Sequence, residues 1–372
     1  MTDAPSSWFQ RRVLPGFAFK AVVIGGGYAT GREIAEFFLP AGPWGGLAGI
    51  ALATLIWSGV CALTFLFARR YHARDYRSFF RALLGRGWVV FEVAYALFIV
   101  LVLAVFGAAA GEIGAATLGL PKLAGTAALM ACIAAAVAFG NTAVERLFAW
   151  VSVLLYGVYA LFFVLALSAF GDRLSAAFGG PVTLDHAWVA GGVTYAGYNI
   201  VGAVIILPVL RHLRSDRDAV VAGLAAGPLA MLPAVLFFVC MSAFAPAIAG
   251  EALPSDYLLA RLGAPAFRYL FQAMIFAALL ESGTGAVHAI TERIAAAGAA
   301  RGRTLSRAAR GGGALVLLAF CMLVAERVGL VALIASGYRV LAWTMLAVFV
   351  LPLVTIGAWR LFHRPTLIPE AA

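Results

Sequence analysis

Ile24-Gly25-Gly26-Gly27-Tyr28-Ala29-Thr30-Gly31-Arg32-Glu33 interrupts an otherwise apolar run from Phe17 to Pro40. The run is long enough to cross a bilayer. Three successive glycines at its centre cost roughly 1 kcal/mol each relative to alanine in a helix. The Arg32-Glu33 pair follows one turn later, where burial in lipid is expensive. A membrane helix broken at its centre frees backbone N–H and C=O groups, which persist only against protein or a water-filled cavity. The segment therefore reads as a binding site made of backbone. N–H groups opening the second half-helix, near Tyr28, suit a substrate carboxylate, and carbonyls ending the first half suit a cation. Gly25, Gly26, Gly27 and Tyr28 are the substrate-binding candidates. The competing use, close helix packing, favours glycines four apart rather than three in a row.

The rest of the chain is of the same kind. Of 372 residues, 63% are hydrophobic and 12% charged, whereas soluble domains carry about a quarter charged. Mean hydropathy is +0.97. Ten apolar spans fit: 17–40, 44–68, 87–117, 122–140, 145–170, 187–210, 218–246, 265–296, 312–326 and 329–362. The expected fold is an all-α integral membrane protein forming one transporter domain over 1–372. The polar stretch 171–186 and the stretch 247–264 read as outer loops, the second holding a short amphipathic helix, Ser255 to Leu262, capped by Ser255. Such a helix suits a lid.

The net charge of +10 is not a nucleic-acid footprint, because its arginines fall in alternate loops. Arg69, Arg70, Arg74, Arg77, Arg81 and Arg86 form one group, Arg211, Arg214 and Arg217 a second, and Arg293, Arg301, Arg303, Arg307 and Arg310 a third. Arg11 and Arg12 precede the first span, and Arg360 and Arg364 follow the last. That asymmetry places both termini in the cytoplasm of a multi-pass protein. No cleavable signal peptide is expected. The four cysteines, Cys61, Cys132, Cys240 and Cys321, lie within spans and read as small buried hydrophobes. The sequence carries no HExxH, GxSxG or P-loop pattern, so an enzyme is not expected, nor is a cofactor. Oligomeric state is not legible.

A second segment echoes the first. Gly191-Gly192-Val193-Thr194-Tyr195-Ala196-Gly197-Tyr198-Asn199 matches Gly25 to Glu33 in glycines at the first, second and seventh positions. Each segment lies in the first helix of a block of five spans, about 17–170 and about 187–362. The blocks run in opposite directions, the pattern of an inverted repeat with helices 1 and 6 broken at mid-membrane. Thr194, Tyr195, Tyr198 and Asn199 are then substrate-binding candidates from the second break. Within the tenth span, Tyr338-Arg339 is expected to face the interior.

The motif GGGYATGREIAEFF, with ten spans and basic loops, resembles the YkvI-like bacterial membrane proteins. That group is similar to members of the amino acid–polyamine–organocation superfamily, whose LeuT-type fold is a five-plus-five inverted repeat. The resemblance implies a secondary transporter working by alternating access. It implies that Arg32 gates the outer side by pairing with an acid. No acid stands at the expected place in the tenth span, leaving Glu33, Glu112 or Glu281 as partners. It implies Na+ held by carbonyls near Val22 and Gly25 and by hydroxyls of Ser282 or Thr284. A glycine separates those two hydroxyls, a departure from the usual adjacent pair. Glu281, an intramembrane carboxyl, offers H+ coupling instead, unless it pairs with Arg339. The expected cargo is a small organic solute, an amino acid or related amine. A receptor or sensor on the same fold, and a transporter of another solute such as a nucleobase, are the alternatives.

Overall fold

Apolar chain in lipid must satisfy every peptide group internally, which leaves helix as the only open-ended solution. The computed structural model describes residues 7–139, 142–182, 184–299 and 307–363, and among them there is no strand. The helices are α1 (Trp8–Arg12), α2 (Leu14–Val23), α3 (Gly26–Ala29), α4 (Arg32–Phe37), α5 (Gly42–Arg70), α6 (Tyr76–Leu84), α7 (Trp88–Leu118) and α8 (Lys122–Phe139). There follow α9 (Thr142–Phe178), α10 (Ala187–Asn199), α11 (Gly202–Ile205), α12 (Asp216–Ser242), α13 (Pro254–Arg261), α14 (Pro265–Ala299) and α15 (Arg307–Val328). The last, α16 (Leu330–His363), is apolar and includes three π-helical stretches.

Eight described stretches are long and apolar enough to cross a membrane, and two further apolar helices, Leu14–Val23 and Lys122–Ala138, are shorter. Their outward faces are hydrophobic: Val316 is 71% exposed and Leu55 70%. Contiguous apolar surface of this kind needs a lipid solvent.

Some boundaries differ from the sequence reading. The expected loop 171–186 begins as helix, because α9 continues to Phe178, burying Leu174 and laying Arg173 over the Phe244 ring. Pro254 opens α13, and Ser255 sits inside its first turn rather than capping it. Cys132 is exposed rather than buried, on the outer side of peripheral α8. Arg301, Arg303 and Arg364 lie outside the described residues.

Glycines let the inner helices touch backbone to backbone. A Cβ on Gly223 of α12 would lie 2.3 Å from Ala62 Cα of α5, and one on Gly227 would lie 2.5 Å from the Thr54 carbonyl. Ser58 Oγ donates to the Leu224 carbonyl across the same seam at 2.9 Å. At one end of the bundle, arginines tie distant segments together. Arg12 meets Asp218 at 2.9 Å, Arg69 pairs with Asp216, and Arg70 meets Asp216 at 2.8 Å and the Leu361 carbonyl at 2.7 Å. The segment before α2, the end of α5, the start of α12 and the end of α16 therefore share that basic end.

Gly223→Val should overpack the α5–α12 seam, where cores typically lose about 1–3 kcal/mol. The expected result is a clearly lower melting temperature for purified protein in detergent, with Gly59→Ala, where a Cβ meets nothing within 4 Å, unchanged.

Candidate functional site

The first break is a tight local structure. Ile24 (φ −73°, ψ 81°) closes an inverse γ-turn in which the Gly25 N–H donates to the Val23 carbonyl at 2.8 Å. Gly25 is extended, and α3 starts at Gly26. Helix 1 is thus broken at Ile24–Gly25, and Gly26 and Gly27 already belong to the next turn. A second interruption follows at Gly31, whose φ of 78° favours glycine. Thr30 bridges it: its hydroxyl donates to the Gly27 carbonyl at 3.1 Å and accepts from the Arg32 N–H at 3.4 Å.

Just past the second interruption lies Glu33. Its side chain folds back from α4 onto α3 and is 3% exposed. The carboxyl accepts, at 2.5 Å, from the Tyr198 hydroxyl of α10. Gly27 makes room for it, since a Cβ there would lie 2.3 Å from Glu33 Oε1. The chain's own carboxyl therefore stands beside the turn expected to receive a substrate carboxylate. Tyr198 in turn stacks on Tyr338 of α16 with ring centroids 4.3 Å apart. The Tyr28 hydroxyl donates to the Ala230 carbonyl at 3.3 Å, and Tyr159 of α9 donates to the Ala29 carbonyl at 3.3 Å. Tyr195 is fully buried against Phe38 and Trp57, and its hydroxyl has no partner.

The second break is displaced from its expected place. α10 runs unbroken through Thr194, Tyr195, Tyr198 and Asn199 and gives way only at Ile200–Val201. There it tightens to i→i+3 bonds, Ala203 N–H to Ile200 O and Val204 N–H to Val201 O. Gly191 and Gly192 serve packing instead: a Cβ on them would lie 1.9 Å from the Phe37 carbonyl and 2.6 Å from the Gly49 carbonyl. The glycine match between the halves thus does not align their breaks. Asn199 donates to the Tyr195 carbonyl of its own helix at 3.2 Å, and Thr194 is buried beside it.

Arg32 points away from Glu33. It bonds Glu36 at 2.7 Å, the Ala249 carbonyl at 2.6 Å and the Glu251 carbonyl at 2.8 Å. Its acid is therefore Glu36, neither Glu33 nor Glu281, while Glu112 takes Lys122 at 2.5 Å. The Ser255 N–H of α13 adds a bond to the Thr30 carbonyl at 2.9 Å. That end is closed. Toward the basic end lies a cavity of about 670 Å³, lined by Tyr76, Arg77, Tyr95, Val204 and Arg293 among others.

The ion candidates are less well gathered. Leu279 of α14 faces α3, where a Cβ on Gly26 would approach it to 2.6 Å. Ser282, three residues on, shares that face, whereas Glu281 and Thr284 fall on the other side of the helix. Thr284 donates to the Leu280 carbonyl at 2.7 Å. Val22 and Gly25 are part-buried at the break. Tyr338 is buried as expected, but Arg339 is exposed, since the neighbouring position of the helix points outward. The sequence reading missed Glu36, Tyr159 and the buried Lys20 of α2. Only Glu36 had left a signal, its i,i+4 spacing from Arg32.

No family model matches this sequence, and a search of curated proteins finds no match either. Solved structures do match. MhsT in complex with L-phenylalanine superposes with a TM-score of 0.61 at 17% identity, covering 95% of this chain and 89% of its own. Mhp1, a nucleobase-cation-symport-1 family transporter with bromovinylhydantoin bound in a closed conformation, gives 0.56 at 14% identity, covering 97% and 81%. The chain thus has the all-α fold of LeuT-type membrane transporters.

Gly27→Ala should displace the Glu33 carboxyl and forfeit its bond to Tyr198. Hydrogen bonds to charged groups contribute about 1.5–3 kcal/mol. Thermal unfolding should show Gly27→Ala and Tyr198→Phe each destabilising, with the double variant well short of their sum.

Proposed function

We propose that this chain is a secondary active transporter of a small organic solute, an amino acid or related amine, coupled to Na+ or H+. The observation that carries the proposal is the meeting of two broken helices at one buried contact, Glu33 to Tyr198, between a sealed end and an open cavity. A site at a midplane break, reachable from one side at a time, is what alternating access requires. With the basic end cytoplasmic by the positive-inside rule, the arrangement is inward-facing, with Arg32 and α13 closing the outer side. The multi-pass architecture fits a bacterial inner membrane with two five-helix repeats rocking in one domain. The fold neighbours support a solute of this size: MhsT holds L-phenylalanine and Mhp1 a hydantoin. The GGGYATGREIAEFF motif supports kinship with the YkvI-like proteins and their superfamily. Ser282 with the carbonyls near Val22 and Gly25 is the better-placed Na+ set, and Glu33 joins Glu281 as a carboxyl for proton coupling.

The direct test is gradient-driven uptake of radiolabelled amino acids and amines into proteoliposomes, with and without Na+ and a pH gradient. Binding without accumulation under any gradient would move the chain to the receptor class. Gly26→Leu, which drives a side chain into Leu279 and Phe106, should abolish uptake while leaving membrane expression intact. Arg32→Ala, which removes three bonds of the outer seal, should slow uptake more than Glu36→Gln, which leaves both carbonyl bonds in place. Equal effects would mean that the ion pair alone forms the seal.

A further inference from the structure

We propose that the Glu33 carboxyl occupies the seat a substrate carboxylate would take, so that the site selects a small organic amine lacking a carboxylate of its own. The inference rests on the transport proposal for the route by which the amine arrives, but its chemistry is local. Three observations carry it. First, the Glu33 carboxyl already lies against the backbone of the turn that opens α3, and Gly27 is the residue that lets it come so close. A free amino acid would bring a second carboxyl group to a place where one is already buried, and two carboxyls sharing a site cannot both ionise. Second, the basic neighbour is turned away: Arg32 is committed to Glu36 and two loop carbonyls. A buried carboxylate is stable when a cation faces it, and an ammonium brings three donors to its remaining lone pairs. Third, aromatic rings surround the carboxyl. Tyr28, Tyr195, Tyr198 and Tyr338 are all buried there, and Phe106 lies against Gly26. Ring faces attract organic cations. The Tyr195 hydroxyl, fully buried and without a partner, supplies a further acceptor on a ring 5.8 Å from that of Tyr198.

The test compares amines with the amino acids from which they differ by a carboxylate: phenethylamine against L-phenylalanine, and cadaverine against L-lysine. Binding to the purified full-length chain is read by thermal shift and by equilibrium titration. The expected result is that at least one amine binds, and binds at least about tenfold tighter than its parent amino acid. Glu33→Gln keeps a hydrogen-bonding group opposite Tyr198 while removing the charge. It should lose at least about tenfold in amine affinity with the ligand-free melting temperature nearly unchanged. Glu33→Ala, which vacates the seat, should reverse the preference toward the amino acid; if that variant does not fold, Glu33→Gln decides. Equal or tighter binding of the amino acids, no binding of either amine, or full amine affinity in Glu33→Gln overturns the proposal. Amine binding without gradient-driven uptake would instead overturn transport and leave the seat assigned. Amino acid uptake indifferent to Glu33→Gln would do the opposite.

Discussion

One buried carboxyl links the two halves of the molecule. Glu33 reaches back across a left-handed glycine to lie against Gly27 of its own broken helix and to bond Tyr198 of the other. A carboxyl this deep survives only if its oxygens are satisfied. The local backbone serves that end: Gly27 has no side chain because the carboxyl stands there, and Gly31 takes its positive φ so that α4 can start at the right angle. The Tyr198–Tyr338 stack carries the constraint on to the last helix.

Around this contact the protein solves two packing problems with the same residue. Without a hydrophobic force between helices in lipid, close approach of backbones supplies the cohesion. Gly191, Gly192, Gly223 and Gly227 put α10 and α12 against α4 and α5 at distances no side chain would permit. The glycines at 25 and 31 do something different, shaping the chain where it leaves the helix. Composition cannot separate the two uses, which explains why one glycine motif marked a break and its echo marked a seam.

Much of the fold was legible because lipid simplifies the code. Eight described stretches that overlap predicted spans are long and apolar enough to cross a membrane, and the interruption near Gly25 was visible as a run of poor helix formers inside apolar chain. The second break was not, since Ile200 and Val201 are ordinary apolar residues whose tightening depends on neighbours such as Phe19 against Gly202. At the site, Arg32 was recognisable as buried charge, and its true partner lay one turn along the same helix. The role of Glu33 was hidden for a geometric reason. Adjacent opposite charges suggest a pair, but consecutive side chains on a helix diverge by about 100°, and Glu33 turned inward as Arg32 turned out. Tyr159 and Ser255 act through single bonds from distant helices, and no spacing announces those.

The four-residue helix α3 is held on several sides, by Tyr28 to Ala230, by Tyr159 to Ala29 and by the Glu33 carboxyl against Gly27, yet it is joined to its neighbours through a γ-turn on one side and a left-handed glycine on the other. Mechanically it is a fixed bearing between two swivels. A tilt of α2 at the γ-turn would leave the bearing in place, whereas a tilt of α4 would carry the Glu33 carboxyl with it. Motion on the α2 side would thereby be separated from the geometry of the centre, and motion on the α4 side would be tied to it through one carboxyl.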